Sequence, residues 1–236
     1  MKCFKIFCVS ISALFLAVRC TAQATSEVSQ LETFYYNKCL KVSGSVEPFI
    51  KLRTDVYEMY KYLQYAIDYL PAQHSLFCGE QRKNLLYRAN EIKNDLNACL
   101  PMEEKFFAKF LKESFQEFLH FLCHNDAAYS MKFFSSETKQ CRENIDRSRG
   151  NDLEYCLNRI FSPTKSYVTQ SEICDDLKVT RKCFTQFVET NCPKSYDTKN
   201  LNSKFFDFIS QPCSACANSV SLIMIFCLVL LHFFNV

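Results

Sequence analysis

The stretch HFLCHND, His120 to Asp126, sets two histidines four residues apart with Cys123 beside the second. On a helix this spacing puts both imidazoles on one face, which is how paired-histidine metal sites are built. A thiol next to an imidazole also raises the possibility of a nucleophile. Each chemistry has requirements the sequence can be tested for. A zinc ion takes three or four protein ligands, and the only other histidine ahead of the apolar C-terminal tail is His74. A sulfur locked in a disulfide is neither a ligand nor a nucleophile, because both roles need the thiolate. The redox compartment of Cys123 therefore decides how the stretch is read.

The compartment follows from the chain's two ends. MKCFK supplies a positive start, Ile6 to Val18 an apolar run, and Ala22-Gln23-Ala24 the small residues of a cleavage site, so residues 1–24 read as a signal peptide. At the other end Val220 to Phe234 is apolar but for Ser221 and His232, no charge follows Asp207, and the small residues SACANS precede it. Together with a signal peptide, this is the pattern of a GPI-attachment signal over residues 214–236. The alternative is a plain membrane anchor, although the run is shorter than the roughly 20 residues a spanning helix needs. Ten cysteines lie between these segments: Cys39, Cys78, Cys99, Cys123, Cys141, Cys156, Cys174, Cys183, Cys192 and Cys213. An even number in an oxidising compartment implies up to five disulfides, whose connectivity stays open. Attachment of the lipid at Ser214 keeps ten cysteines, whereas attachment at Asn218 would keep Cys216 as an unpaired eleventh. Ser214 is the expected site for that reason.

The intervening residues, 25–213, fit a single domain. Glycines and prolines are sparse, and the apolar period between them is helical. Phe49, Leu52, Val56, Met59, Leu63, Ile67 and Leu70 form one stripe; Leu85, Ala89, Ile92, Leu96 and Cys99 form a second that stops before Pro101. Phe107, Leu111, Phe115, Phe118 and Leu122 form a third, a fourth helix falls around Cys141 and Ile145, and a last stripe runs from Cys174 to Val188. No alternating strand pattern of useful length occurs. The fold class is all-α: a single disulfide-stapled helical bundle. In CDDLKVTRKCFTQFVETNC the cysteines recur every nine residues, half a turn out of phase at about 100° per residue. Such a helix should be clamped on two sides, with each cysteine reaching a different element.

Several function classes lack their signatures. Three widely spaced glycines exclude Gly-rich phosphate loops and a nucleophile elbow. The excess of 28 basic over 25 acidic residues disappears once Lys2, Lys5 and Arg19 leave with the signal, so binding to nucleic acid has no electrostatic support. CSAC at 213–216 has no βαβ context for redox work. No N-x-S/T sequon is present. The 23 phenylalanines, dense in EKFFAKFLKESFQEFLHFL, are expected to be core, with an apolar ligand cavity as the alternative.

Three stretches carry a family resemblance. FCGEQRKNLLYRANEIKNDLNACLPMEEK (Phe77 to Lys105) is similar to a segment of C-G, a helix, then A-C-L with charged residues. FLHFLCHNDAAYSMKFF (Phe118 to Phe134), followed by Cys141 and CLNRIF (Cys156 to Phe161), resembles an apolar helix ending in F-[VL]-C-x-x-D and the C-[IVL]-N-x-x-F beyond it. CDDLKVTRKCFTQFVETNC with FFDFISQPC (Phe205 to Cys213) resembles the closing pattern, which ends at a terminal cysteine after a Phe-bearing helix. In this order, over residues 75 to 213, they resemble the insect 27-kilodalton hemolymph glycoproteins, secreted cysteine-rich proteins of poorly defined function. The chain departs from that pattern at Tyr87, where the family has a further cysteine, and upstream, where the family tends to have two and the chain beyond its expected signal peptide has only Cys39. The resemblance implies a secreted protein and supplies no catalytic residue or ligand.

The expectation is a non-enzymatic extracellular protein, held to the membrane through its C-terminus. It needs no cofactor or metal, and its partner is an extracellular protein or an apolar small molecule. His120 and His124 are expected to be bystanders on a core helix stapled through Cys123.

Overall fold

The Phe-rich run after Pro101 forms the element around which the others are arranged. The computed structural model describes residues 24–67, 69–70, 72–147, 156, 166 and 169–214. Its helices are α1 (Ala24–Ser43), α2 (Glu47–Ile67), α3 (Arg82–Cys99), α4 (Lys105–Phe133), α5 (Ser136–Arg147), α6 (Gln170–Asn191) and α7 (Tyr196–Ile209), and no strand occurs among the described residues. The expected signal peptide, apart from Ala24, and the apolar tail, apart from Ser214, lie outside the described residues. No helix among those described is long and apolar enough to cross a membrane.

On α4, Phe107, Phe110, Leu111, Phe115, Phe118, Phe121 and Leu122 recur at steps of three and four, and all are buried. Each buried side chain of this kind stabilises the fold by about 1.5–3 kcal/mol relative to exposure. That stripe packs against α3 on one side and α7 on the other; α2 and α1 lie on α3, and α6 lies on α7. Phe118 and Phe121 meet Phe205 of α7 edge-on, with ring centroids 6.3 and 6.0 Å apart.

The helix ends follow local chemistry. Gly44, at φ 73°, closes α1, and its N–H donates to the Leu40 carbonyl at 3.0 Å, a left-handed C-terminal cap that glycine adopts without a Cβ penalty. Leu100 is extended because it precedes Pro101. The α2 stripe extends in sequence to Leu70, but the helix ends at Ile67; Leu70 is buried from the turn that follows, just before Pro71. A single helical turn, His74–Leu76, runs through a π-helical turn, Phe77–Gln81, into α3. Thr169 and Glu172 form a reciprocal capping box on α6. At the start of α7 the Ser195 hydroxyl accepts from the Thr198 N–H and donates to Glu137 of α5 at 2.8 Å.

Ten cysteines form five disulfides: Cys39–Cys99, Cys78–Cys123, Cys141–Cys192, Cys156–Cys183 and Cys174–Cys213. α6 is clamped on two sides, since Cys174 reaches past the end of α7 while Cys183, half a turn away, reaches Cys156. Cys192, at the cap of α6, reaches α5. Among the described residues the bridges fall into two sets, one within residues 39–123 and one within 141–213.

Replacing Cys174 and Cys213 together by serine is expected to lower stability by about 2–4 kcal/mol. A thermal midpoint some 5–15 °C lower would report it; an unchanged midpoint would show that α7 needs no tether.

Candidate functional site

α4 does not run straight through HFLCHND. It is helical to Cys123, and then His124 takes ψ 137° while Asn125, Asp126 and Ala127 take φ of 46°, 52° and 63° before the helix resumes. Asn and Asp tolerate the left-handed region; alanine does so at a cost of order 1 kcal/mol. The surroundings over-determine this break. Ala127 is fully buried, and the buried hydroxyl of Ser130 donates to the Leu122 carbonyl at 2.7 Å, satisfying a group the interrupted ladder leaves open. On the near side Cys123 is held to the π-helical turn through Cys78.

The break exposes one end of an aromatic cluster. His120 is exposed and His124 half-buried, with ring centroids 5.6 Å apart. Phe208 of α7 packs edge-on to both, at 5.2 and 5.4 Å. Tyr129 stacks nearly parallel to His124 and to Phe121, at 5.6 and 4.9 Å. His120 Nδ1 lies 3.3 Å from Glu117 Oε2. The sulfur of Cys123 is in a disulfide and available for neither ligation nor attack. Among the described residues no three His, Cys, Asp or Glu side chains converge to hold a metal. Beneath the cluster Phe118, Phe121, Tyr129, Phe133 and Leu201 line a cavity of about 20 Å³, room for about one water molecule. Ser214 follows Cys213 at the end of the described chain.

Two polar clusters escaped the sequence reading. Between α2 and α3, Lys51 Nζ lies 2.6 Å from Asp95 Oδ1 and 3.0 Å from Asp55 Oδ2. Asp95 is buried, its Oδ2 has no other partner, and the Asp55 carboxyl is within hydrogen-bonding reach. Burial, reinforced by the bond to Asp55, raises Asp95 above the usual carboxylate range despite Lys51. Burial acts on Asp55 in the same sense, but hydrogen bonds with Asp95 and Lys51 outweigh it and the net shift is downward. The two neighbouring carboxyls are thus pushed in opposite directions, Asp95 up and Asp55 down. The Lys51/Asp55 half was visible as an i,i+4 pair; nothing marked Asp95, on another helix. The second cluster pairs Lys38 of α1 with Glu104, both mostly buried, and Lys38 also donates to Ser166 Oγ at 2.9 Å. Burial, and secondarily the Glu104 charge, raise the Tyr35 phenol.

An outer face of α2 carries aromatic surface. Tyr57, Lys61 and Tyr65 follow one another at steps of four, with Tyr69 in the turn just beyond the helix, and Tyr57 and Tyr65 are each about half exposed. Lys61 Nζ sits 4.4 Å from the Tyr57 ring centroid, and Tyr65 meets Tyr69 edge-on at 5.1 Å.

An all-α domain with five internal disulfides is compatible with an extracellular protein. The family model described as "Protein of unknown function (DUF1397)" matches residues 25–216, and the chain belongs to that family. Neither the curated proteins nor the solved structures contain a match.

The raised Asp95 fixes a sign. A group whose folded pKa lies above its unfolded value contributes stability at low pH that is lost as pH rises through the folded pKa. Asp95→Asn keeps a donor toward Asp55 and an acceptor for Lys51 without the charge. It is expected to raise the urea midpoint at neutral pH, with the gap narrowing as pH falls toward the ordinary carboxylate range. Lys38→Met, which leaves Glu104 mostly buried and uncompensated, is expected to cost about 3 kcal/mol in the same assay.

Proposed function

We propose that this is a non-enzymatic extracellular protein of the 27-kilodalton hemolymph glycoprotein type. In this reading it is carried to the cell surface by the signal at residues 1–24, tethered there through a GPI anchor at Ser214, and acts by binding a protein partner. The observation that carries this reading is the contrast between interior and surface. The Phe-rich interior of α4 encloses about 20 Å³, and the sulfur of HFLCHND is tied up in a disulfide, while α2 holds out half-exposed tyrosines in a row. Tyrosine is favoured in binding surfaces because it offers large amphipathic area at low entropic cost. The small volume beside the Phe run weighs against its other reading, a carrier that holds a lipid or similar apolar molecule there, since an acyl chain needs hundreds of cubic ångströms.

The N- and C-terminal signals lie outside the described residues, so anchoring is tested on cells. Phospholipase C is expected to release the protein from the surface of expressing cells. Retention would favour a membrane-spanning tail, and constitutive secretion would remove the anchor from the account. Tyr57→Ala with Tyr65→Ala should weaken binding to the partner-bearing surface by at least about tenfold while leaving the thermal midpoint within about 1–2 °C. Native mass spectrometry of the phospholipase-released protein should show no non-covalently bound mass beyond the covalent anchor remnant; co-purifying lipid would restore the carrier.

A further inference from the structure

The cluster at the break in α4 holds a feature that partner binding leaves unused. Two imidazoles, one exposed and one half-buried, stand one helical turn apart where the helix ends. We propose that His120 and His124 form a surface chelate for a divalent late transition-metal ion of the copper or zinc class, taken up directly from solution.

Three observations converge on it. The first is spacing. Two imidazoles that share an ion at a metal–nitrogen distance of about 2.0–2.1 Å have ring centroids roughly 5 Å apart, and His120 and His124 stand 5.6 Å apart. The second is the proton inventory of His120. A carboxylate only accepts hydrogen bonds, so in the 3.3 Å contact with Glu117 the Nδ1–H of His120 donates. Its Nε2 then carries the lone pair a metal requires, and Glu117 is the outer carboxylate that orients metal-bound histidines and raises their basicity. The third is ring orientation. Phe208 lies edge-on to both imidazoles, and Tyr129 stacks on His124. Two exposed histidines on an ordinary helix would lose rotamer freedom on chelation; here packing has already restricted it.

The same geometry limits the kind of site. No third His, Cys, Asp or Glu converges on the pair among the described residues, and the ten cysteines of residues 39–213 are oxidised. Water must complete the coordination sphere, so the ion is exchangeable and contributes nothing the fold depends on. Imidazole donors with open positions follow the ordinary affinity order, copper above zinc.

The test uses purified protein with its disulfides intact, titrated with CuCl2 and separately with ZnCl2 in a calorimeter. One equivalent of saturable binding is expected, tighter for copper, with imidazole nitrogen couplings in the copper EPR spectrum. His120→Phe and His124→Phe keep a ring in the cluster and should each weaken binding by more than about tenfold. Glu117→Gln leaves both ligands in place and should weaken it by about 10–100-fold. Thermal midpoints of the variants confirm that the domain is folded. Affinity unchanged in the His120→Phe/His124→Phe double variant, or no saturable equivalent in the unsubstituted protein, would overturn the proposal.

Discussion

The contact between α4 and α7 is the constraint on which the rest of the molecule depends. Phe118 and Phe121 on one helix and Phe205 and Phe208 on the other form the seam between the two disulfide-linked parts of the chain. Residues 39–123 are cross-linked among themselves, as are residues 141–213, and apart from the backbone that joins them it is burial, rather than a disulfide among the described residues, that holds one set to the other. The seam also accounts for the irregular backbone nearby. Tyr129 stacks on Phe121 only because the chain reverses helical geometry at residues 124–127, and Ser130 then reaches back to the Leu122 carbonyl. A break costing a few kcal/mol persists because the aromatic packing beside it is worth more.

Much of this architecture is legible from residue types and spacing. The stripes through Phe49–Leu70, Leu85–Cys99, Phe107–Leu122 and Cys174–Val188 correspond to α2, α3, α4 and α6, the first overrunning its helix by three residues, because each helix buries one face, and a buried face imposes its period on the sequence. The nine-residue cysteine spacing implied bridges leaving α6 in opposite directions, and geometry at half a turn leaves no other solution. α1 announces itself poorly: its outer positions Tyr36, Leu40 and Val42 are apolar yet exposed, which blurs the period. α7 was foreseen only through the family resemblance, because its run is short and its polar residues Asn202 and Ser203 sit beside the phenylalanines.

What pairing alone could not reveal lies between elements. Asp95 gives no local sign of being buried, since its carboxyl is matched by Lys51 from a helix some forty residues earlier. Glu104 looks like half of a solvated MEEK run and is instead nearly enclosed opposite Lys38. Left-handed geometry at Asn125 and Asp126 is plausible from residue type; at Ala127 it is imposed by tertiary packing. The two histidines, which looked like bystanders in one dimension, are fixed in place by Phe208, more than eighty residues away in sequence.

The segregation of the disulfides has a consequence for synthesis. In the proposed reading, in which the chain enters the secretory pathway from its N-terminus, Cys39, Cys78, Cys99 and Cys123 are presented before any cysteine of the second set. Four cysteines allow three pairings and six allow fifteen, so oxidation in two successive stages chooses among about 45 arrangements, where all ten thiols together would face about 950. The order of translation thus performs part of the sorting that a disulfide isomerase would otherwise have to do.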